Sequence, residues 1–342
     1  MKQIPIMVNN APKKVTFFTK KARIEDVDNF KFREEDDYFS QELSFLRGLT
    51  DFFDIYNIQY ETYDGSSNVD YAYLAFTDDL SLQISDLTDR WYPKSVTEKL
   101  IRKDIMPEYL RGFGFNCLDT KRINSIDDIV GNNFIIKPII GTLGKNILRI
   151  LNGVKEPNFS YKTYTTTGEF LKSMDVDFRE FRKFKEDAIF QNNDPMNGYC
   201  IQRACMSSQY EIYMIYGVVN SNSDVYFTRA ASTMWKNSKT YIGSSKRFYN
   251  EIPENTFIRN LVKTEKIRNA SFALQLIRME DGLLYPIDWN FRIVLRPPKI
   301  NNRIEELYKQ LCHMYDVEND LPETWPDIWY MNHSPKKYNQ IK

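Results

Sequence analysis

Residues 133–151 read N-F-I-I-K-P-I-I-G-T-L-G-K-N-I-L-R-I-L. Phe134–Ile136 predicts a buried strand, Gly141–Lys145 a glycine-bearing turn, and Ile147–Leu151 a returning strand. Lys137 follows the first strand directly and precedes Pro138, so a rigid element would fix its ammonium. Glycines let backbone N–H groups approach a polyphosphate closely, and a lysine neutralises it. Gly141, Thr142, Gly144 and Lys145 therefore read either as a phosphate-covering loop or as the tip of an ordinary hairpin.

A second hairpin is signalled by Asp281-Gly282 between two apolar runs, Ser271–Arg278 and Leu284–Val294. The period of 2 places Asp288, Asn290 and Arg292 on one face of the outgoing strand and Trp289 and Phe291 on the other. A carboxylate, an amide oxygen and a guanidinium in line suit Mg²⁺ and phosphate, because hard cations take oxygen ligands. Gln275 faces them from the incoming strand. The alternative is a solvated strand face. Tyr199–Cys205 predicts a buried strand that runs into a polar bend, with Glu211 on the next strand. Backbone groups at such a bend can meet a purine edge, and the carboxylate can take ribose hydroxyls; an ordinary edge strand would look the same.

The remaining pattern mixes helices and strands. Tyr38–Tyr56 has near-helical apolar spacing, and Ile58–Tyr63 and Tyr71–Phe76 read as short strands. Ser95–Phe115 predicts one helix, with Ser95 and Glu98 as a capping box. Ser125–Val130, Thr167–Met174, Pro253–Phe272 and Ile304–Tyr315 are also expected to be helical. Tyr210–Val219 and Val225–Ala231 should pair as strands, and Trp235–Tyr249 reads as a basic loop.

Composition narrows the chemistry. The 342 residues balance 46 Lys+Arg against 46 Asp+Glu, which removes the usual electrostatic case for a dedicated nucleic-acid or membrane binder. Two histidines and four scattered cysteines, with Cys200 and Cys205 spaced C-x4-C, imply neither His-based catalysis, structural zinc nor a disulfide framework. No run of about 18 apolar residues occurs and Met1–Lys14 lacks an apolar signal core, so a cytoplasmic protein without a membrane span is expected.

The order strand–Lys-Pro–glycine turn–strand, then a hinge strand, then a hairpin closing on Asp-x-Asn-x-Arg, resembles the ATP-grasp superfamily over Pro93 to Pro298. The resemblance implies an α+β fold with two α+β lobes gripping a nucleotide, preceded by a small N-terminal α/β lobe. The implied division is 1–92 for that lobe, 93–205 for the small lobe with the glycine loop, 206–315 for the large lobe with the metal-binding strand, and 316–342 for a tail. It implies ATP and Mg²⁺ as cofactors. Lys99, Lys137, Gly141, Thr142, Gly144, Lys145, Gln202, Arg203, Cys205 and Glu211 would hold the nucleotide. Gln275, Asp288 and Asn290 would hold the metal, and Arg229 and Arg292 would act on the transferred phosphoryl group. Two positions depart from the family pattern: Gln275 stands where it has a carboxylate, and Asp288 where it has a longer Glu.

The implied reaction is ATP-dependent amide formation between a carboxylate, phosphorylated first to an acyl phosphate, and an amine; an amino acid or peptide is one candidate substrate. Two rivals stand beside it. Gln275 suits a nucleotide-binding module whose chemistry is lost or different, and the basic aromatic stretch Trp235–Tyr249 suits single-stranded nucleic acid.

Overall fold

A computed structural model of the chain describes residues 12–19, 46, 49–50, 52–65, 68–74, 78–124, 128–129, 131, 133–140, 148–151, 154–155, 198–206, 209–236, 240–241, 246–248, 252–292 and 302–317. At 79, 148–151, 154–155, 209, 228–236, 240–241, 246–248 and 302–306 it describes the backbone.

Lys14–Phe18 (β1) has Val15, Phe17 and Phe18 buried, as a central parallel strand covered on both faces requires. It pairs in parallel with Gln59–Thr62 (β2) on one side and Tyr71–Leu74 (β3) on the other. The sequence reading found β2 and β3 but passed over β1, a short run between polar stretches. A 3₁₀ turn, Asp78–Leu80, then leads into helix Ser81–Leu87 (α1).

The single helix expected over Ser95–Phe115 is two helices, Lys94–Ile101 (α2) and Met106–Arg111 (α3). Pro107 lies in the first turn of α3, where its missing N–H costs nothing, whereas inside a continuous helix it would clash. Arg102 is accordingly extended, with φ −89° and ψ 108°. The expected capping box does not form: Pro93 is the N-cap residue of α2, and no side chain caps it.

A five-stranded antiparallel sheet runs β4–β8–β5–β6–β7, from Thr120–Arg122 (β4), Phe134–Pro138 (β5), Leu148–Leu151 (β6), Val154–Lys155 (β7) and Tyr199–Arg203 (β8). The expected hairpin is present as β5 and β6, with Ile136 opposite Leu148. Its tip, the helix expected at Thr167–Met174 and most of Ser125–Val130 lie outside the described residues.

The second large sheet runs β11–β10–β9–β13–β14, with β12 also on β10. It comprises Gln209–Val219 (β9), Val225–Lys236 (β10), Thr240–Tyr241 (β11), Lys246–Phe248 (β12), Ala270–Arg278 (β13) and Leu284–Asn290 (β14). The stretch read as a loop, Trp235–Tyr249, is therefore partly strand: β11 and β12 both pair back onto β10. Helix Pro253–Thr264 (α4) ends well before the expected Phe272, because Lys266 and Asn269 adopt left-handed φ of 55° and 44° and turn the chain into β13. On β9, Gly217 admits the Phe272 ring; a Cβ there would lie 2.4 Å from it.

Helix Asn302–Met314 (α5) lies against β9 and β10, while its Tyr308 and the following Tyr315 reach apolar residues of the N-terminal unit. Phe52 meets Tyr308 at 5.2 Å between ring centroids, and Phe53 and Tyr71 meet Tyr315 at 5.7 and 5.9 Å. Each such buried aromatic contributes about 1.5–3 kcal/mol by leaving water. Tyr92 continues this apolar mass, stacking edge-on to Phe291 at 4.9 Å and donating its hydroxyl proton to the Ser271 carbonyl. Tyr92 and, through Asp78, the 3₁₀ turn after β3 thus lie beside the end of β14.

Candidate active site

The β13–β14 hairpin sets the register of the site. Gln275 lies opposite Asp288 and Ala273 opposite Asn290, so the three oxygen-bearing residues singled out in the sequence sit together. The next pair is Leu276 with Pro286, which leaves Ile287 as an extra residue on β14. Proline cannot donate to the ladder, and a bulge of this kind leaves one residue's backbone groups unpaired. The Ile287 carbonyl is taken instead by the Lys137 ammonium, at 3.0 Å.

Lys137 is 4% exposed on β5, opposite Cys200 of β8. Burial holds its pKa below the ordinary lysine value, and the charge of Lys103 works in the same direction. The Cys200 thiol is pushed up to about 11, chiefly by burial, so it is an inert packing group rather than a nucleophile.

Lys103 enters from the break between α2 and α3. Its backbone N–H donates to the Ile139 carbonyl at 2.9 Å, and its ammonium reaches Asp288 Oδ1 at 2.8 Å. Two ammonium groups from separate segments thus converge on consecutive residues of β14, with one carboxylate between them.

Past β14, Arg292 is 7% exposed and bonded on two sides. Its Nη2 donates to Asn290 Oδ1 at 3.4 Å, and its Nε donates to Asp78 Oδ2 at 3.4 Å. Asp78 Oδ1 also accepts the Phe291 backbone N–H at 2.8 Å. Burial raises the Asp78 carboxyl pKa, while the Arg292 charge and the Phe291 N–H pull it the other way.

The bend after β8 is clasped by Glu280, from the turn between β13 and β14. Its carboxylate accepts the Met206 N–H and pairs with Arg203 at 3.3 Å. Burial alone would raise the Glu280 pKa, but these hydrogen bonds and the Arg203 charge bring it below the ordinary value. Leu118, Cys205, Tyr210 and Met279 form a small apolar cluster behind the bend.

The expected site residues divide accordingly. Lys137, Gln275, Asp288, Asn290 and Arg292 gather at β14. Arg203 and Cys205 lie at the bend, Cys205 with its thiol 3.7 Å from the Arg278 carbonyl. Gln202 instead donates to Thr120 Oγ1 across to β4, and Glu211 accepts from Arg278 Nε at 3.1 Å. Lys99 does not join Lys137; its ammonium lies over the Tyr109 ring, 4.7 Å from the centroid. Arg229 follows a register shift in β10, opposite Tyr216, and is described by its backbone. Gly141, Thr142, Gly144 and Lys145 lie outside the described residues. The sequence reading missed Lys103, Asp78 and Glu280. Pro107 was the available signal for Lys103: it forbids one continuous helix over Ser95–Phe115 and calls for a break just before it.

The donor set at β14 is made of hard oxygens: the Asp288 carboxylate and the amide oxygens of Gln275 and Asn290. That fits Mg²⁺ held by one carboxylate together with substrate phosphates. Among the described residues no group of three or more His, Cys, Asp or Glu residues could hold a metal alone.

Solved structures resemble this arrangement of sheets. N5-carboxyaminoimidazole synthetase from Staphylococcus aureus, complexed with ADP, aligns over 93% of this chain and 80% of its own, with 10% identity and a TM-score of 0.53. D-Alanine–D-alanine ligase from Bacillus anthracis, complexed with ATP, aligns over 89% and 95%, with 11% identity and a TM-score of 0.50. The biotin carboxylase domain of 2-oxoglutarate carboxylase from Hydrogenobacter thermophilus, with MgADP, ADP and bicarbonate, aligns over 93% and 72%, with 10% identity and a TM-score of 0.51. The fold is the ATP-grasp fold. The expected α+β class is thereby met. No protein-family profile and no curated protein sequence matches the chain. No described helix is long and apolar enough to cross a membrane.

Proposed function

We propose that the chain is an ATP-dependent carboxylate–amine ligase. The observation that carries this reading is the convergence of Lys103 and Lys137 on β14 beside Asp288 and Gln275. Two ammonium groups against one carboxylate leave a net positive pocket, and a polyphosphate with a divalent cation completes it. The ATP-grasp fold, with neighbours crystallised with ATP, ADP and MgADP, supports the same assignment. In this reading Lys137 and Lys103 hold phosphates, and Asp288, Asn290 and Gln275 hold Mg²⁺, which neutralises charge on the phosphates when bound. The bend at Arg203–Cys205 meets the adenine, and Gly141–Lys145 covers the triphosphate. The boundaries 93–205 and 206–315 follow the two gripping lobes, after an N-terminal lobe over 1–92 and before a tail over 316–342.

The reaction is the transfer of the ATP γ-phosphoryl group to a carboxylate oxygen, which gives an acyl phosphate and ADP. An amine nitrogen then attacks the acyl carbon, loses its proton and expels phosphate, leaving an amide. Such transfer is mostly positioning and charge neutralisation, so no side-chain nucleophile is required. The test is ADP release screened over amino acids and small carboxylates, each with and without an amine. ADP release that needs both partners supports the ligase. A second reading, a nucleotide-binding module without this turnover, is favoured by Gln275, a neutral donor opposite Asp288; MgATP binding with no ADP release from any pair would establish it.

A further inference from the structure

We infer that Asp78 is the positioning residue for the Arg292 guanidinium, so that the N-terminal lobe completes the phosphate site; this rests on the nucleotide reading above. Asp78 is 214 residues from Arg292 in sequence and belongs to neither large sheet. Its two carboxylate oxygens are divided between the Phe291 N–H and Arg292 Nε. The first bond catches a buried N–H one residue past the end of β14, which would otherwise have no strand partner. The second fixes the guanidinium at its inner edge, and the outer Nη2 is turned onto Asn290 Oδ1, one of the metal donors. Arg292 is planar and rigid as a donor, so holding Nε sets the direction of its Nη edge. Asp78 is itself seated: Ser81, fully buried, donates its hydroxyl proton to the Asp78 carbonyl at the start of α1.

The pair is an expensive way to fill a core. Both side chains are 8% exposed, and buried ion pairs are often no more stabilising than apolar residues of the same shape. What an apolar pair could not do is aim a guanidinium at Asn290, a residue that would hold the metal.

The experiment measures melting temperature and the affinities for MgATP and for metal-free ADP in wild type, Asp78→Asn, Arg292→Gln and the double variant. Asn keeps an acceptor for the Phe291 N–H but removes the charge that holds Arg292. Asp78→Asn should weaken MgATP about tenfold and leave metal-free ADP within about twofold. The double variant, with no unpaired buried charge, should regain melting temperature yet bind MgATP as weakly as Arg292→Gln alone. This variant keeps the test open should Asp78→Asn fail to fold. Equal loss for both nucleotides in Asp78→Asn, or MgATP losses that simply add in the double variant, would overturn the inference. A wild type that binds neither nucleotide overturns the ligase reading and the inference with it.

Discussion

Lys103–Asp288 and Asp78–Arg292 lie four residues apart along the end of one strand, but they differ in surroundings. The first pair is 11% and 22% exposed at its side chains, and its lysine comes from a turn between two short helices. The second is 8% exposed on both sides, and its aspartate also bonds the backbone. Removing one partner of a buried pair costs about 3–5 kcal/mol, whereas partly exposed pairs contribute far less. The inner pair is thus a fixture and the outer one a contact that can exchange. Lys103 occupies an oxygen that a divalent cation would need, and a bound phosphate gives the ammonium another anion. In this account metal and nucleotide enter together.

The largest effect expected at the outer pair is from Asp288→Asn. ADP release should fall by roughly 10²–10³-fold, as for loss of a transition-state charge contact. Wild-type ADP release in that variant would remove Asp288 from the metal site. Lys137→Ala should weaken ATP binding by roughly 10- to 100-fold, the range for a charge-assisted hydrogen bond; unchanged affinity would make the Lys137–Ile287 contact purely structural. Lys103→Met sharpens the comparison further. By freeing Asp288 it should let Mn²⁺ bind without nucleotide at least several-fold more tightly than in wild type, while MgATP binds more weakly. Equal Mn²⁺ affinities would show that Lys103 does not hold the metal's place.

The smallest effect concerns the clasp between the sheets. The Glu280 carboxyl pKa is lowered in the folded chain, so its contribution to stability is full above its ordinary value of 4.5 and is lost as pH falls through the lower folded value. The melting-temperature gap between wild type and Glu280→Gln should therefore be constant near neutral pH and close in acid. A gap independent of pH would mean that the glutamate charge is not what holds the Met206 bend.

The sequence revealed the residues carried by strands and concealed those carried by turns. Asp288, Asn290 and Arg292 were legible because a period of 2 and the Asp281-Gly282 turn fix register without tertiary information. Lys137 was legible for the same reason, at the end of an apolar run. Lys99 entered through the family resemblance alone, whereas the break at Arg102 is what brings Lys103 to Asp288. Asp78 had no local signal, since its role arises from a contact 214 residues away. The bulge at Ile287 was signalled only by Pro286, and that it exposes a carbonyl to Lys137 is a tertiary fact.

The central claim is a metal-dependent ATP cleft at β14, and thermal melting of the intact chain with ATP and Mg²⁺, with ATP and EDTA, and with GTP and Mg²⁺ tests it most directly. A ligand at about 100 times its Kd adds roughly 2.7 kcal/mol to stability. The account predicts a clear upward shift with MgATP, a smaller one when EDTA removes the metal, and little with GTP. No shift with either nucleotide would contradict it.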